Sequence, residues 1–149
     1  YFLNFFNKLY LGDNGSYLLG LYFSLLLIEI NSINTNISPY FIVLLLWYPG
    51  FEIFFSIMRK FNFKKSPLLP DKEHFHQMLF YFIMKKFNFT KIKANMLASS
   101  TLNTYNGIVF FIGSTFASHS QGQIILIMFN IFLYCFLYVR LKKFKSYYK

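Results

Sequence analysis

Ile124-Ile125-Leu126-Ile127-Met128-Phe129-Asn130-Ile131-Phe132-Leu133-Tyr134-Cys135-Phe136-Leu137-Tyr138-Val139 holds no charge and a single amide. A run this apolar, with room to extend at both ends, reads as the core of a membrane-spanning helix over 121–140. Working outward, the uncharged turn Ser118-His119-Ser120-Gln121-Gly122 precedes it, and Arg140, Lys142, Lys143, Lys145 and Lys149 follow it. Three more segments are largely apolar, near 16–33, 40–58 and 95–117. The last of these starts with small and hydroxyl residues (Ala98, Ser99, Ser100, Thr101), which favour close helix contact in lipid. In the second, Pro49-Gly50 predicts a kink.

The totals agree. The chain of 149 residues is 56% hydrophobic and contains 22 Phe and 12 Tyr, more large rings than a soluble domain of this size can bury. Cys135 is the one cysteine, so an intrachain disulfide is excluded, and its setting suits a packing or lipid-facing thiol. The expected fold is all-α: a polytopic transmembrane helical protein of about four spans, forming one domain over 1–149. The chain begins Tyr1-Phe2-Leu3 without a basic leader. It is therefore expected to be a piece of a larger helical bundle.

Charge placement orients the spans. Nine of the fifteen basic residues fall between Arg59 and Lys93, five lie from Arg140 onward, and the last is Lys8. The loops 31–38 and 118–122 have none. With four alternating spans, every basic residue comes to one side, which the positive-inside rule assigns to the cytoplasm. A net charge of +10 would also suit nucleic acid, but this distribution points to the membrane surface instead. Within the loop 59–93, Asp71 is the expected N-cap of a helix whose Phe75, Met78, Leu79, Phe82 and Ile83 share one face. That helix is expected to be amphipathic and interfacial.

The polar residues converge on the same side. Ser66-Pro67-Leu68-Leu69-Pro70-Asp71-Lys72-Glu73-His74-Phe75-His76-Gln77 packs two histidines, two carboxylates and a lysine between long apolar segments. Gly12-Asp13-Asn14-Gly15-Ser16 is turn chemistry at a helix entrance, where Asp13 either caps the helix or ligates Mg²⁺ on a diphosphate. Glu52, an acid in apolar surroundings, is either functional or paired with Arg59 or Lys60. Glu29 reads as an interfacial carboxylate and His119 as a turn residue. His74 and His76 with Asp71 could instead hold a transition metal, which would need extended backbone because positions two apart diverge on a helix.

Leu11-Gly12-Asp13-Asn14-Gly15-Ser16, then Pro49, Glu52 and Arg59-Lys60, then the Ser66–Gln77 stretch, together resemble the polyprenyl-phosphate N-acetylhexosamine-1-phosphate transferases, the membrane glycosyltransferase-4 enzymes of bacteria. The order and spacing correspond to the C-terminal half of that family. The resemblance implies transfer of N-acetylhexosamine-1-phosphate from a UDP-sugar such as UDP-GlcNAc to undecaprenyl phosphate, with release of UMP. That reaction initiates cell-envelope polysaccharide synthesis (lipopolysaccharide or cell wall) at the inner membrane. It implies Mg²⁺ or Mn²⁺ held by Asp13, with Asp13, His74 and His76 as catalytic residues. Arg59, Asp71, Lys72 and Glu52 would bind substrate. A homodimer is an assembly the family allows. Glu52 stands where Asp is common, and Gln77 where many members have a further His. The family's paired aspartates belong to its N-terminal half, so this chain alone is expected to be inactive. The alternative is a non-catalytic membrane remnant or subunit with a basic membrane-surface loop.

Overall fold

The structure is a computed structural model that describes residues 12–62 and 73–148. Over these residues the chain is helical, with no strand: α1 (Gly12–Ile33), α2 (Pro39–Leu45), α3 (Trp47–Asn62), α4 (Phe75–Lys86), α5 (Lys91–Thr115) and α6 (Ser120–Tyr147). The all-α membrane class expected from the sequence is what is observed. Two helices are long and apolar enough to cross a membrane, α1 from Asn14 and α6, and the bent pair α2–α3 makes a third if taken as one span. The expected span at 95–117 is present as α5. Its 25 residues reach about 37 Å. Its first half is too polar for α5 to join the apolar set, which makes two or three such spans instead of four. The basic tail is not separate from the last span. With no glycine or proline between Gln123 and Tyr147, α6 simply continues through Arg140, Lys142, Lys143 and Lys145.

The break in the second segment comes earlier than Pro49-Gly50. α2 ends at Leu45, α3 begins at Trp47, and the two are bent by 71°. Pro49 is nonetheless the cause. It has no N–H to give the Leu45 carbonyl, and its ring would collide with that carbonyl in a continuous helix. Breaking the chain at Leu46 places Pro49 in the first turn of α3, where N–H groups have no intrahelical partner anyway. Ladder bonding resumes at once, with Gly50 N–H bonded to Leu46 C=O at 3.1 Å. Pro39 uses the same licence at the start of α2, where the Ser38 hydroxyl caps the Tyr40 N–H.

The uncharged loops meet at one end of the bundle. Ser38 N–H bonds Ala117 C=O at 2.9 Å, and the Ser38 and Ser120 hydroxyls lie 2.8 Å apart. Gln123, fully buried, donates from Nε2 to the carbonyls of Gly113 (2.7 Å) and Phe116 (3.1 Å), which ties the end of α5 to the start of α6. Gly113 makes this closeness possible. A Cβ there would run into the fully buried Leu44 side chain and sit 3.4 Å from Gln123 Oε1. Gly113→Val is expected to cost about 1–3 kcal/mol through overpacking. Gly107→Ala, where a Cβ meets nothing within 4 Å, should be neutral or slightly stabilising. Thermal unfolding of both variants in detergent would show whether this ordering holds, and equal midpoints would contradict it.

Among the described residues, basic side chains gather at the opposite end, at the last turns of α3 (Arg59, Lys60), α4 (Lys85, Lys86) and α6 (Lys145) and the first turn of α5 (Lys91, Lys93). Cations at helix C-termini complement the macrodipole. α4 fills the space between α5 and α6. Its apolar face is the one the spacing predicts: Phe75 packs on Tyr134 with ring centroids 4.8 Å apart, Phe82 on Phe144 at 4.8 Å, and Ile83 on Ala94 and Ala98. The small alanines let α4 and α5 approach closely.

The N-cap of α4 is His74, not Asp71. Asp71 lies outside the described residues. The helix starts at Phe75 because a carboxylate from another helix takes its first N–H.

Candidate functional site

That carboxylate is Glu52, one turn beyond the α2–α3 break and only 8% exposed. Its Oε1 accepts the Phe75 N–H at 2.9 Å and lies 3.0 Å from His74 Nδ1. Its Oε2 accepts the Tyr134 hydroxyl at 2.9 Å. Ser56, one turn further along the same face of α3, puts its hydroxyl 3.3 Å from the same His74 nitrogen. Of the two readings of Glu52, the ion pair with Arg59 or Lys60 is therefore not formed. The acid is turned toward the histidine segment.

Arg59 lies two turns further along α3 and is also buried. Its guanidinium donates to the Glu73 carbonyl at 2.7 Å, to the Glu73 carboxylate at 3.2 Å and to the Tyr138 hydroxyl, and it stacks over the Tyr138 ring. Lys142 Nζ is 3.5 Å from the same Glu73 carboxylate. Three consecutive residues, Glu73, His74 and Phe75, are thus strapped to α3 and α6 at the basic end. Beside this strap α3 and α6 enclose a groove of about 620 Å³. Its walls include Phe55, Met58 and Tyr138, and its rim includes Arg59, Lys142 and Lys143.

His74 and His76 stand side by side, their rings stacked at 5.6 Å with an 11° interplanar angle. Positions two apart diverge on a helix, but His74 is the extended N-cap (φ −66°, ψ 148°) and only His76 is helical. Among the described residues no group of three His, Cys, Asp or Glu side chains could hold a metal ion. Burial pushes the His76 imidazole below its ordinary value of 6.5; the Glu52 charge opposes this shift, and His74 adds to it. The folded protein therefore holds this proton more weakly than the unfolded chain, and stability is lost as pH falls from about 6.5 through the lowered value. Thermal midpoints taken from about pH 7.5 to about pH 5 should fall less steeply in His76→Gln than in the wild type. Parallel curves would count against this contribution.

Of the residues singled out in the sequence, Glu52, Arg59, His74 and His76 come together. Asp13 lies in the first turn of α1, a helix whose later residues Ser24, Ile28 and Asn31 line one groove together with Pro39, Ile42 and Leu46. The Asp13 carboxylate, and the whole of Asp71 and Lys72, lie outside the described residues. Tyr134, Tyr138 and Ser56 were not anticipated. A signal existed: Asn130, Tyr134 and Tyr138 recur every four residues along α6, a polar stripe inside an apolar helix, and all three are buried.

Over 71 residues the chain is 35% identical to the undecaprenyl-phosphate alpha-N-acetylglucosaminyl 1-phosphate transferase of Thermotoga maritima. The match covers 48% of this chain and 23% of that protein, so the chain spans about a quarter of the length of the curated relative it matches. No family model matches, and no solved structure gives a significant match. The resemblance to these transferases is thus shared by a curated relative over about half of the chain.

Proposed function

We propose that this chain is part of a membrane transferase that moves N-acetylhexosamine-1-phosphate from a UDP-sugar to undecaprenyl phosphate, at the cytoplasmic face of a bacterial inner membrane. The observation that supports this most is the strapped Glu73-His74-Phe75 segment, which fixes the His74 ring, with His76 stacked on it, at the basic end of the bundle. In the proposed reaction a lipid-phosphate oxygen attacks the sugar-bearing phosphorus of the donor. One P–O bond forms, the P–O bond to UMP breaks, and UMP leaves with the bridging oxygen. Such a transfer is catalysed chiefly by positioning and by neutralising the charge spread over phosphate oxygens.

In this reading His74 and His76 orient the nucleotide-sugar, and Lys72, with the rim of the groove, supplies positive charge. Arg59 holds the segment in register from beneath. The carboxylates of the basic end do not fit a metal where they are described. Glu52 already accepts Phe75, His74 and Tyr134, and Glu73 is engaged by Arg59 and Lys142. A hard cation on the donor diphosphate would fall to Asp13 and Asp71. Such an ion would offset the negative charge of the phosphates.

Membranes containing the protein, given undecaprenyl phosphate and radiolabelled UDP-N-acetylhexosamines, should release UMP and form a labelled lipid. If membranes containing the folded full-length protein make no labelled lipid from any UDP-N-acetylhexosamine, the proposal fails.

A further inference from the structure

We propose that Glu52 is a positioning residue for His74. It fixes the ring proton on Nδ1, so that Nε2, across the ring, is the nitrogen presented to substrate. For its effect on turnover, this rests on the transferase reading above.

The geometry is specific. A nitrogen 3.0 Å from a carboxylate oxygen carries its proton toward that oxygen, because two lone pairs at that distance repel. The carboxylate cannot easily turn aside. Oε1 is also bonded to the Phe75 N–H, and Oε2 is bonded to the Tyr134 hydroxyl. Tyr134 is itself locked, its ring packed against Phe51, Phe55 and Phe75. Ser56 Oγ is 3.3 Å from the same nitrogen and, in this tautomer, is a second and longer acceptor that shares the one Nδ1 proton with Glu52. Holding an imidazole in one tautomer by a buried acceptor is how other sites set which nitrogen does chemistry. The same carboxylate caps α4, so the orientation of the ring and the start of the helix are set by one group. Such an acid is costly inside an apolar bundle, and a cap alone would not demand it, since a Ser or Asn at position 74 could cap α4 locally.

The test reads the tautomer directly. The chain has three histidines, so ¹⁵N-histidine spectra in proteoliposomes are simple, and His74→Asn identifies the His74 signals. In its neutral form, His74 is expected to carry its proton on Nδ1. Glu52→Leu should return it to the mixed population of a free imidazole. For turnover, Glu52→Gln keeps the cap but weakens the acceptor, and should lower kcat about 10- to 100-fold with KM for the UDP-sugar changed less than about threefold. A wild-type His74 found as the Nε2–H form overturns the proposal, whether or not Glu52→Leu folds. So does an unchanged Nδ1–H signal in Glu52→Leu. A merely structural Glu52 would change thermal stability and leave the tautomer where it was. The tautomer is read without substrate. A protein that shows no transfer would sink the transferase reading while the spectrum still decides the role of Glu52.

Discussion

Asp13→Asn is expected to lower sugar-phosphate transfer about 100- to 1,000-fold, the loss typical when a group that stabilises developing charge is removed. The substitution separates the two readings of this residue. α1 starts at Gly12, which takes φ +69°, a left-handed conformation that glycine adopts freely and that lets the chain turn into the helix. Asp13 follows in the first turn. Asn and Asp serve a helix start about equally well, so an Asp13 with only a capping role would leave turnover and unfolding unchanged when replaced by Asn. A metal or diphosphate ligand needs the charge, and its loss should appear in kcat at unchanged stability, with added Mg²⁺ restoring little. UMP release in membranes, measured beside the thermal midpoint of each protein, tells the two apart. Full activity in Asp13→Asn would remove the metal role proposed here.

The second large effect is expected on stability. Arg59→Leu should destabilise the protein by about 3 kcal/mol. It leaves the Glu73 carbonyl and the Tyr138 hydroxyl without their charged donor and takes the guanidinium off the Tyr138 ring. Arg59→Lys keeps the charge but loses the planar guanidinium whose Nη1 reaches Glu73 and Tyr138 and whose face lies over the Tyr138 ring, so an intermediate loss is expected. The segment Glu73–Phe75 should then loosen, seen as faster hydrogen exchange at the start of α4. Unfolding midpoints for the two variants check the order. If Arg59→Leu unfolds with the wild type, Arg59 is not what holds the histidine segment.

Much of the architecture can be read along the chain. The apolar run 124–139, the spacing of Phe75, Met78, Leu79, Phe82 and Ile83, and the bare loops 31–38 and 118–122 each report on a segment or a sum over one. Such properties survive whatever the helices later pack against. Pro49 was read correctly as a break but placed too late, because the steric conflict is felt four residues back, at the Leu45 carbonyl. α5 was counted as a span from its length and later apolarity, although its first half, with Asn95, Ser99, Ser100 and Asn103, is too polar for the apolar set.

The site was legible only as an inventory. Glu52, Arg59, His74 and His76 could be picked out as costly or clustered polar residues, yet their partners could not. Glu52 and His74 are 22 residues apart, and Glu52 and Tyr134 are 82 apart. Arg59 reaches Tyr138 across a comparable gap and takes Glu73 in place of the nearer Glu52. Local pattern tells a helix which face to bury and where its charges lie, because those depend on residues a turn or two away. Which buried carboxylate meets which imidazole depends on how far each helix is rotated and slid against its neighbours. Those two quantities exist only once α3, α4 and α6 are packed, and they turn a histidine expected on the far side of a helix into one stacked on its neighbour and held by an acid.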